Sequence, residues 1–220
     1  MINRELYMEQ ITPFIDKPFV KVITGIRRCG KSVVLRLIRE ELLRRGVSED
    51  YIIYMNFESF EWIDMKEAKA LYAHIQETTK ASGKYYILLD EIQEVTDWEK
   101  AVNAFLVDLD VDIYVTGSNS RLLSSEFSTY LAGRYAAFHI MTLSFKEYLL
   151  FHNLSLTISA SDRKAEFLKY LRMGGFPAIH TANYDYNAIY KIVYDIYSSV
   201  ILRDTVQRHG IRNVEMLERI

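Results

Sequence analysis

The sequence predicts an α/β fold: a three-layer arrangement with a parallel sheet between helices, followed by a small helical segment. Three observations carry this expectation. Short apolar runs recur through the first two-thirds of the chain. Amphipathic helical patterns separate them. After about residue 150 the strand signals fade and helical ones persist.

The apolar runs are Phe19–Thr24, Tyr51–Phe57, Tyr85–Leu89, Ile113–Thr116 and Tyr135–Leu143. They are rich in Val, Ile and Tyr, as strands buried on both faces are. Between them, Val33, Val34, Leu37, Ile38 and Leu42 follow the helical period. So do Ala68, Leu71, Tyr72 and Ile75, and then Ala101, Val102, Phe105 and Leu106. Asp64 with Glu67, Thr96 with Glu99, and Ser144 with Glu147 have the spacing of capping boxes. Strand–helix alternation implies right-handed crossovers and hence a parallel sheet. Farther on, helical patterns cover Ala165–Met173 and Tyr186–Gln207, with Gly174-Gly175-Phe176-Pro177 as a break between them. Ile189, Ile192, Val193, Ile196, Tyr197, Val200 and Ile201 form an apolar stripe, expected to pack on the core or a neighbouring helix.

Composition narrows the function classes. Half of the 220 residues are hydrophobic, a quarter are charged, and net charge is −2. No basic field points to nucleic acid or to an acidic membrane surface. The single cysteine, Cys29, cannot form an internal disulfide, which suits a reducing compartment. The most apolar stretch, Ile189 to Leu202, is broken by Lys191 and Asp195. With no spanning segment and no apolar signal core at the start, a soluble cytoplasmic protein is expected.

Gly25-Ile26-Arg27-Arg28-Cys29-Gly30-Lys31-Ser32 fits G-x-x-x-x-G-K-[ST] at every fixed position, between an expected strand and an expected helix. This is the pattern of a P-loop. Gly25 and Gly30 permit a tight backbone path whose N–H groups turn inward on phosphate oxygens. The helix start at Lys31, Ser32 and Val33 adds N–H groups and the positive end of its dipole. Lys31 is expected on the β- and γ-phosphates of ATP, and Ser32 on Mg²⁺. Ile26, Arg27, Arg28 and Cys29 complete the loop. At least one of the arginines is expected to face solvent, and Cys29 to serve as a small filler.

Tyr85–Leu89 runs into Asp90-Glu91. An acid at a strand tip beside a P-loop holds Mg²⁺, commonly through water, which is the role expected of Asp90. Glu91 is then placed to activate an attacking water. No Asn is followed by Lys, so the guanine-reading Asn-Lys-x-Asp of GTPases is absent. Ile113-Tyr114-Val115-Thr116-Gly117-Ser118-Asn119-Ser120 ends a strand in small polar residues. Ser118 is the candidate to hold the attacking water, with Thr116 and Asn119 as alternatives and a helix cap as the competing reading. Asn56 is a candidate to hydrogen-bond Glu91, against an ordinary turn before Glu58. Arg134, just before the last strand, is a candidate for phosphate contact, either in its own subunit or across a homo-oligomer interface.

In all this the chain resembles the AAA-domain ATPases of bacteria and archaea that precede a C-terminal domain of unknown function. Besides the P-loop, the resemblance rests on Leu88-Leu89-Asp90-Glu91-Ile92-Gln93, Thr116-Gly117-Ser118-Asn119-Ser120 and Ala132-Gly133-Arg134. Leu143-Ser144-Phe145-Lys146-Glu147-Tyr148-Leu149 and Gly174-Gly175-Phe176-Pro177 complete it. It implies strand order 5-1-4-3-2, a P-loop ATPase core over residues 1–150 and a helical lid over 151–210. It also implies the start of a winged-helix segment at 211–220; with no basic field in this chain, nucleic-acid contact is expected only through a C-terminal region outside it. Thr142 stands where the family usually has proline, and Arg163 and Arg172 match no lid-arginine motif. The function implied is Mg-dependent ATP hydrolysis coupled to movement of the lid and the C-terminal region. The alternative is a slow nucleotide-gated switch or scaffold. A metal nuclease built on Asp90, Glu91 and Glu94 fits less well, because no further acid–lysine cluster accompanies those acids.

Overall fold

The computed structural model describes residues 4–118, 131–181 and 184–198. Strands β1 (Val20–Gly25), β2 (Ile52–Asn56), β3 (Tyr85–Asp90), β4 (Val111–Ser118) and β5 (Tyr135–Ile140) form one sheet in the order β2-β3-β4-β1-β5. Every pairing is parallel, as the alternation of strands and helices predicts. The order is the expected 5-1-4-3-2 read from the other edge. All residues of β1 and β3 are buried, which is why both read as largely apolar runs, with Lys21 the exception inside β1.

Helices cover both faces. Among the described residues, α1 (Glu5–Ile11) and α2 (Lys31–Arg44) lie on one face, and α3 (Ala68–Thr78) and α4 (Trp98–Asp108) pair on the other. On α2, Val34, Leu35, Leu37, Ile38 and Leu42 are buried at helical spacing. The core beneath α3 and α4 joins Leu71, Ile75, Val102 and Phe105 to Val22, Met55, Ile87, Leu89 and Val115. Helix α1 was not expected, although Tyr7 and Ile11 are buried from it four residues apart.

A buried ion pair joins β1 to β4 outside this cluster. Lys21 is fully buried and ion-paired with Asp112. It also donates to the Lys17 carbonyl at 2.9 Å. Asp112 accepts from the Tyr114 hydroxyl and the Asp16 N–H, each at 2.8 Å. Burial pushes the lysine's pKa down against the pull of Asp112, and the hydrogen bonds compensate the buried carboxylate.

Two of the three expected capping boxes are not formed. Helix α3 starts after Glu67 and α4 after Asp97, neither with a side-chain cap. Asp64 lies inside the 3-10 segment Phe60–Met65, and an isolated bridge pairs Glu67 with Thr96, so backbone pairing takes the place of the caps. The box at Ser144 does form: Glu147 N–H donates to Ser144 Oγ at 3.3 Å and Ser144 N–H to Glu147 Oε2 at 2.8 Å.

The chain packs as two units. One comprises the described residues of 3–25 and 30–140, and the other those of 26–29 and of 141 onward. The second unit carries α5 (Phe145–Phe151), α6 (Ala160–Met173) and α7 (Tyr186–Ile196). Leu143 N–H donates to the Gly175 carbonyl at 2.7 Å. A Cβ on Gly175 would stand 2.5 Å from the Leu143 carbonyl oxygen, so only glycine permits this approach. Ile189 and Ile196 of the α7 stripe are buried, whereas Val200 and Ile201 lie outside the described residues. No described helix is long and apolar enough to cross a membrane.

Candidate active site

β1 ends at Gly25 and α2 begins after Gly30, so residues 26–29 turn between a strand tip and a helix start. Gly30 takes the left-handed backbone, φ 104° and ψ 25°, which costs glycine nothing. Among the described residues no side chain caps α2, the arrangement that leaves helix N–H groups to an anion. Ile26, Arg27 and Arg28 are exposed and Cys29 is buried.

Lys31, the first residue of α2, is buried. Its ammonium lies 3.4 Å from the Gly25 carbonyl and 3.5 Å from Glu91 Oε1. Asp90 is the last residue of β3 and fully buried. The Tyr54 hydroxyl of β2 donates to its Oδ2 at 3.1 Å, and the Thr116 hydroxyl donates to its Oδ1. Burial, then the Asp90 charge, raises the Tyr54 pKa, which keeps this phenol a donor. Glu91 follows with left-handed backbone, φ 55° and ψ 48°, rare for a non-glycine residue. Its N–H donates to Thr116 Oγ1 at 3.0 Å. Its Oε2 accepts from Gln93 Nε2 at 2.5 Å.

Strand order explains the convergence. β4 lies between β3 and β1, pairing Leu89 with Val115 and Ile23 with Thr116. A hydroxyl on β4 therefore stands beside the carboxylates ending β3, near the end of β1. Thr116 fills that position, with one bond given and one received. Ser118 pairs by backbone with Gly25, but its side chain, Asn119 and Ser120 lie outside the described residues. Tyr54 was not singled out from sequence, and Gln93 entered only within the signature Leu88–Gln93, with no role of its own. Each is a polar residue whose partner becomes visible only once β2 and the turn after Asp90 are in place.

Two candidates behave differently. The Asn56 side-chain oxygen accepts from Glu58 N–H at 2.9 Å, the turn reading; among the described residues no hydrogen bond joins it to Glu91. Arg134 precedes Tyr135, which pairs with Val20 at the start of β1. Gly25 is at the other end, roughly 20 Å away at the strand rise per residue. Arg134 is exposed and its Nη1 donates to Asn103 Oδ1 at 3.2 Å. An arginine side chain does not span that distance, so Arg134 does not reach Gly25 in this structure.

The donor set suits ATP with Mg²⁺. A buried ammonium and a glycine-bounded turn suit phosphates. Ser32 and Asp90 offer the hard oxygens that Mg²⁺ prefers. Each Asp90 oxygen accepts one bond from the protein, which leaves lone pairs for a metal-bound water.

Comparison with known proteins agrees with this geometry. The AAA domain family matches residues 17–149. An uncharacterized protein of Haemophilus influenzae is 40% identical over 221 residues, covering 100% of this chain and 54% of that protein. Uncharacterized protein MJ1544 of Methanocaldococcus jannaschii is 35% identical over 228 residues, covering 99% of this chain and 48% of that one. The chain thus spans about half the length of the curated relatives it matches. Among solved structures, the Walker-type ATPase PABY2304 of Pyrococcus abyssi gives a TM-score of 0.60 at 15% identity, covering 96% of this chain and 76% of that one. AMPPCP-bound DnaA from Aquifex aeolicus gives 0.52 at 15% identity, covering 93% and 67%. At such identities these two speak for the fold alone. The family match covers more than half of the chain, and with the five-stranded parallel sheet beneath its P-loop this chain belongs to the AAA-domain ATPase family.

Proposed function

We propose that this chain binds ATP with Mg²⁺ and hydrolyses it to ADP and phosphate, with Glu91 as the general base. The observation that carries this is the buried Lys31–Glu91 pair, 3.5 Å apart between the P-loop and the end of β3. It puts a cation suited to phosphate beside a carboxylate suited to water.

In this reading Lys31 holds the β- and γ-phosphates. The N–H groups of the loop from Gly25 through Ile26, Arg27, Arg28, Cys29 and Gly30, with those of Lys31, Ser32 and Val33, cradle the phosphate chain. Ser32 and Asp90 hold Mg²⁺, whose charge offsets that of the phosphates. Thr116 ties the Asp90 carboxylate to the Glu91 backbone, so the metal-holding and water-activating groups keep one spacing. Glu91 takes a proton from the attacking water as the new P–O bond forms and the bond to ADP breaks. Ser118, at the tip of β4, orients that water. Turnover then moves the helical lid over 151–210 and the remainder of a longer cytoplasmic protein.

The test is phosphate release from Mg-ATP by the wild type and by Glu91→Gln. The variant should bind fluorescent ATP like the wild type and lose turnover by about 10²- to 10⁴-fold, the usual cost of removing a general base. A variant as fast as the wild type refutes the assignment. A wild type that binds ATP without turning over leaves the slow switch instead.

A further inference from the structure

Resting on that reading, we infer that Gln93 is a positioning residue: its carboxamide fixes the Glu91 carboxylate so that Oε1 faces the nucleotide. The two oxygens of Glu91 are treated differently. Oε2 accepts from Gln93 Nε2 at 2.5 Å. Oε1 lies 3.5 Å from the ammonium of Lys31. The chain therefore holds one oxygen from behind and turns the other toward the P-loop. The lone pair needed by an attacking water is on Oε1, because Lys31 turns to phosphates when ATP binds.

The backbone makes this hold necessary. Glu91 has left-handed φ and ψ, and its N–H is fixed on Thr116. That anchors the Cα but leaves the side-chain torsions of a glutamate unset. The 3-10 turn Ile92–Glu94 closes with Glu94 N–H on the Glu91 carbonyl at 3.1 Å. This brings Gln93 back over Glu91, two residues on. Only the nitrogen of its amide can face the carboxylate, since its oxygen would meet another acceptor. The Gln93 Oε1 atom is buried, and among the described residues it has no hydrogen-bond partner. A buried carbonyl without a partner destabilises a fold, so packing alone favours an apolar side chain of this length. What the amide supplies there is the N–H donated to Glu91.

The test compares wild type, Gln93→Met, Glu91→Gln and the double variant in this chain, with thermal unfolding as the check on folding. Gln93→Met keeps length and volume but loses the donor. It should lower kcat roughly 10- to 100-fold, the scale of a slightly misplaced catalytic group, with ATP affinity unchanged and an unfolding midpoint no lower than that of the wild type. Added to Glu91→Gln, it should cost nothing more, because groups that act as a unit are not additive. Should Gln93→Met fail to fold, Gln93→Glu keeps the shape and opposes a second carboxylate to Glu91, and should also lose kcat. Wild-type kcat in the folded Gln93 variant, or additive losses in the double variant, overturns the inference while Glu91 stays the base. If Glu91→Gln is as fast as wild type, the base assignment falls first and this inference with it.

Discussion

Thr116 and Asp90 share a hydrogen bond between neighbouring strands, hydroxyl to carboxylate, at full burial. The same oxygen accepts the Glu91 N–H at 3.0 Å. Thr116→Val keeps the shape and removes both bonds. It should destabilise the fold by about 1–3 kcal/mol, the cost of stranding buried partners, and lower kcat. Thr116→Ser should restore both. Denaturant unfolding and phosphate release measure the two effects.

Lys31→Ala removes the buried cation beside the P-loop. ATP affinity should fall at least about 10- to 100-fold, the worth of one or two charge-assisted bonds. Fluorescent-nucleotide titration reads this directly, and unchanged affinity would contradict the P-loop assignment.

Arg134 lies at the opposite end of the strands from Gly25, which sets a role across a subunit interface against one as the partner of Asn103. If Arg134 acts across an interface, activity per subunit should rise with protein concentration and Arg134→Ala should lower kcat with little change in ATP affinity. In that case mixing Arg134→Ala with Lys31→Ala protein should restore part of the activity, a guanidinium from one serving the intact loop of the other, whereas no rescue would rule the interface role out. Normal kcat in the variant would leave Arg134 as the partner of Asn103 alone.

His180 gives a pH dependence of stability. Its Nε2 lies 2.9 Å from the Gly174 carbonyl and must carry a proton there. Its Nδ1, 3.1 Å from His152 Nε2, therefore accepts. The other groups against it are the rings of Tyr148 and Phe151. Burial lowers its pKa below the ordinary 6.5, opposed by the Gly174 bond and helped by His152. The unfolded chain thus binds the proton more readily. The stabilisation is full above pH 6.5 and is lost as pH falls below it. Thermal midpoints at about pH 7.5 and about pH 5.5 should differ more in the wild type than in His180→Phe, which has no imidazole to protonate.

The strands, the P-loop and Asp90-Glu91 were legible because each is written in consecutive residues. Buried strands read as largely apolar runs, and the P-loop pattern occupies eight adjacent positions from Gly25 to Ser32. The roles of Thr116 and Tyr54 were not legible. They stand 26 and 36 residues from Asp90, and only the strand order brings them together. Gln93 reads as an ordinary turn residue until the left-handed Glu91 folds the chain back. Cap spacing was a fair guide only where nothing competed. The Glu67–Thr96 bridge displaced two boxes, and the Ser144 box had no such rival.

The strand order also imposes a schedule on synthesis. β1 is made first, yet both of its neighbours, β4 and β5, come last. A growing chain that has emerged only through β3 can pair β2 with β3 but cannot enclose the strand that feeds the P-loop. Such late closure of distant partners slows folding, and until then the apolar β1 is an open edge suited to misassembly. The candidate site is therefore among the last parts of this unit to mature, and the interval before Ile140 leaves the ribosome is when a chaperone has most to protect.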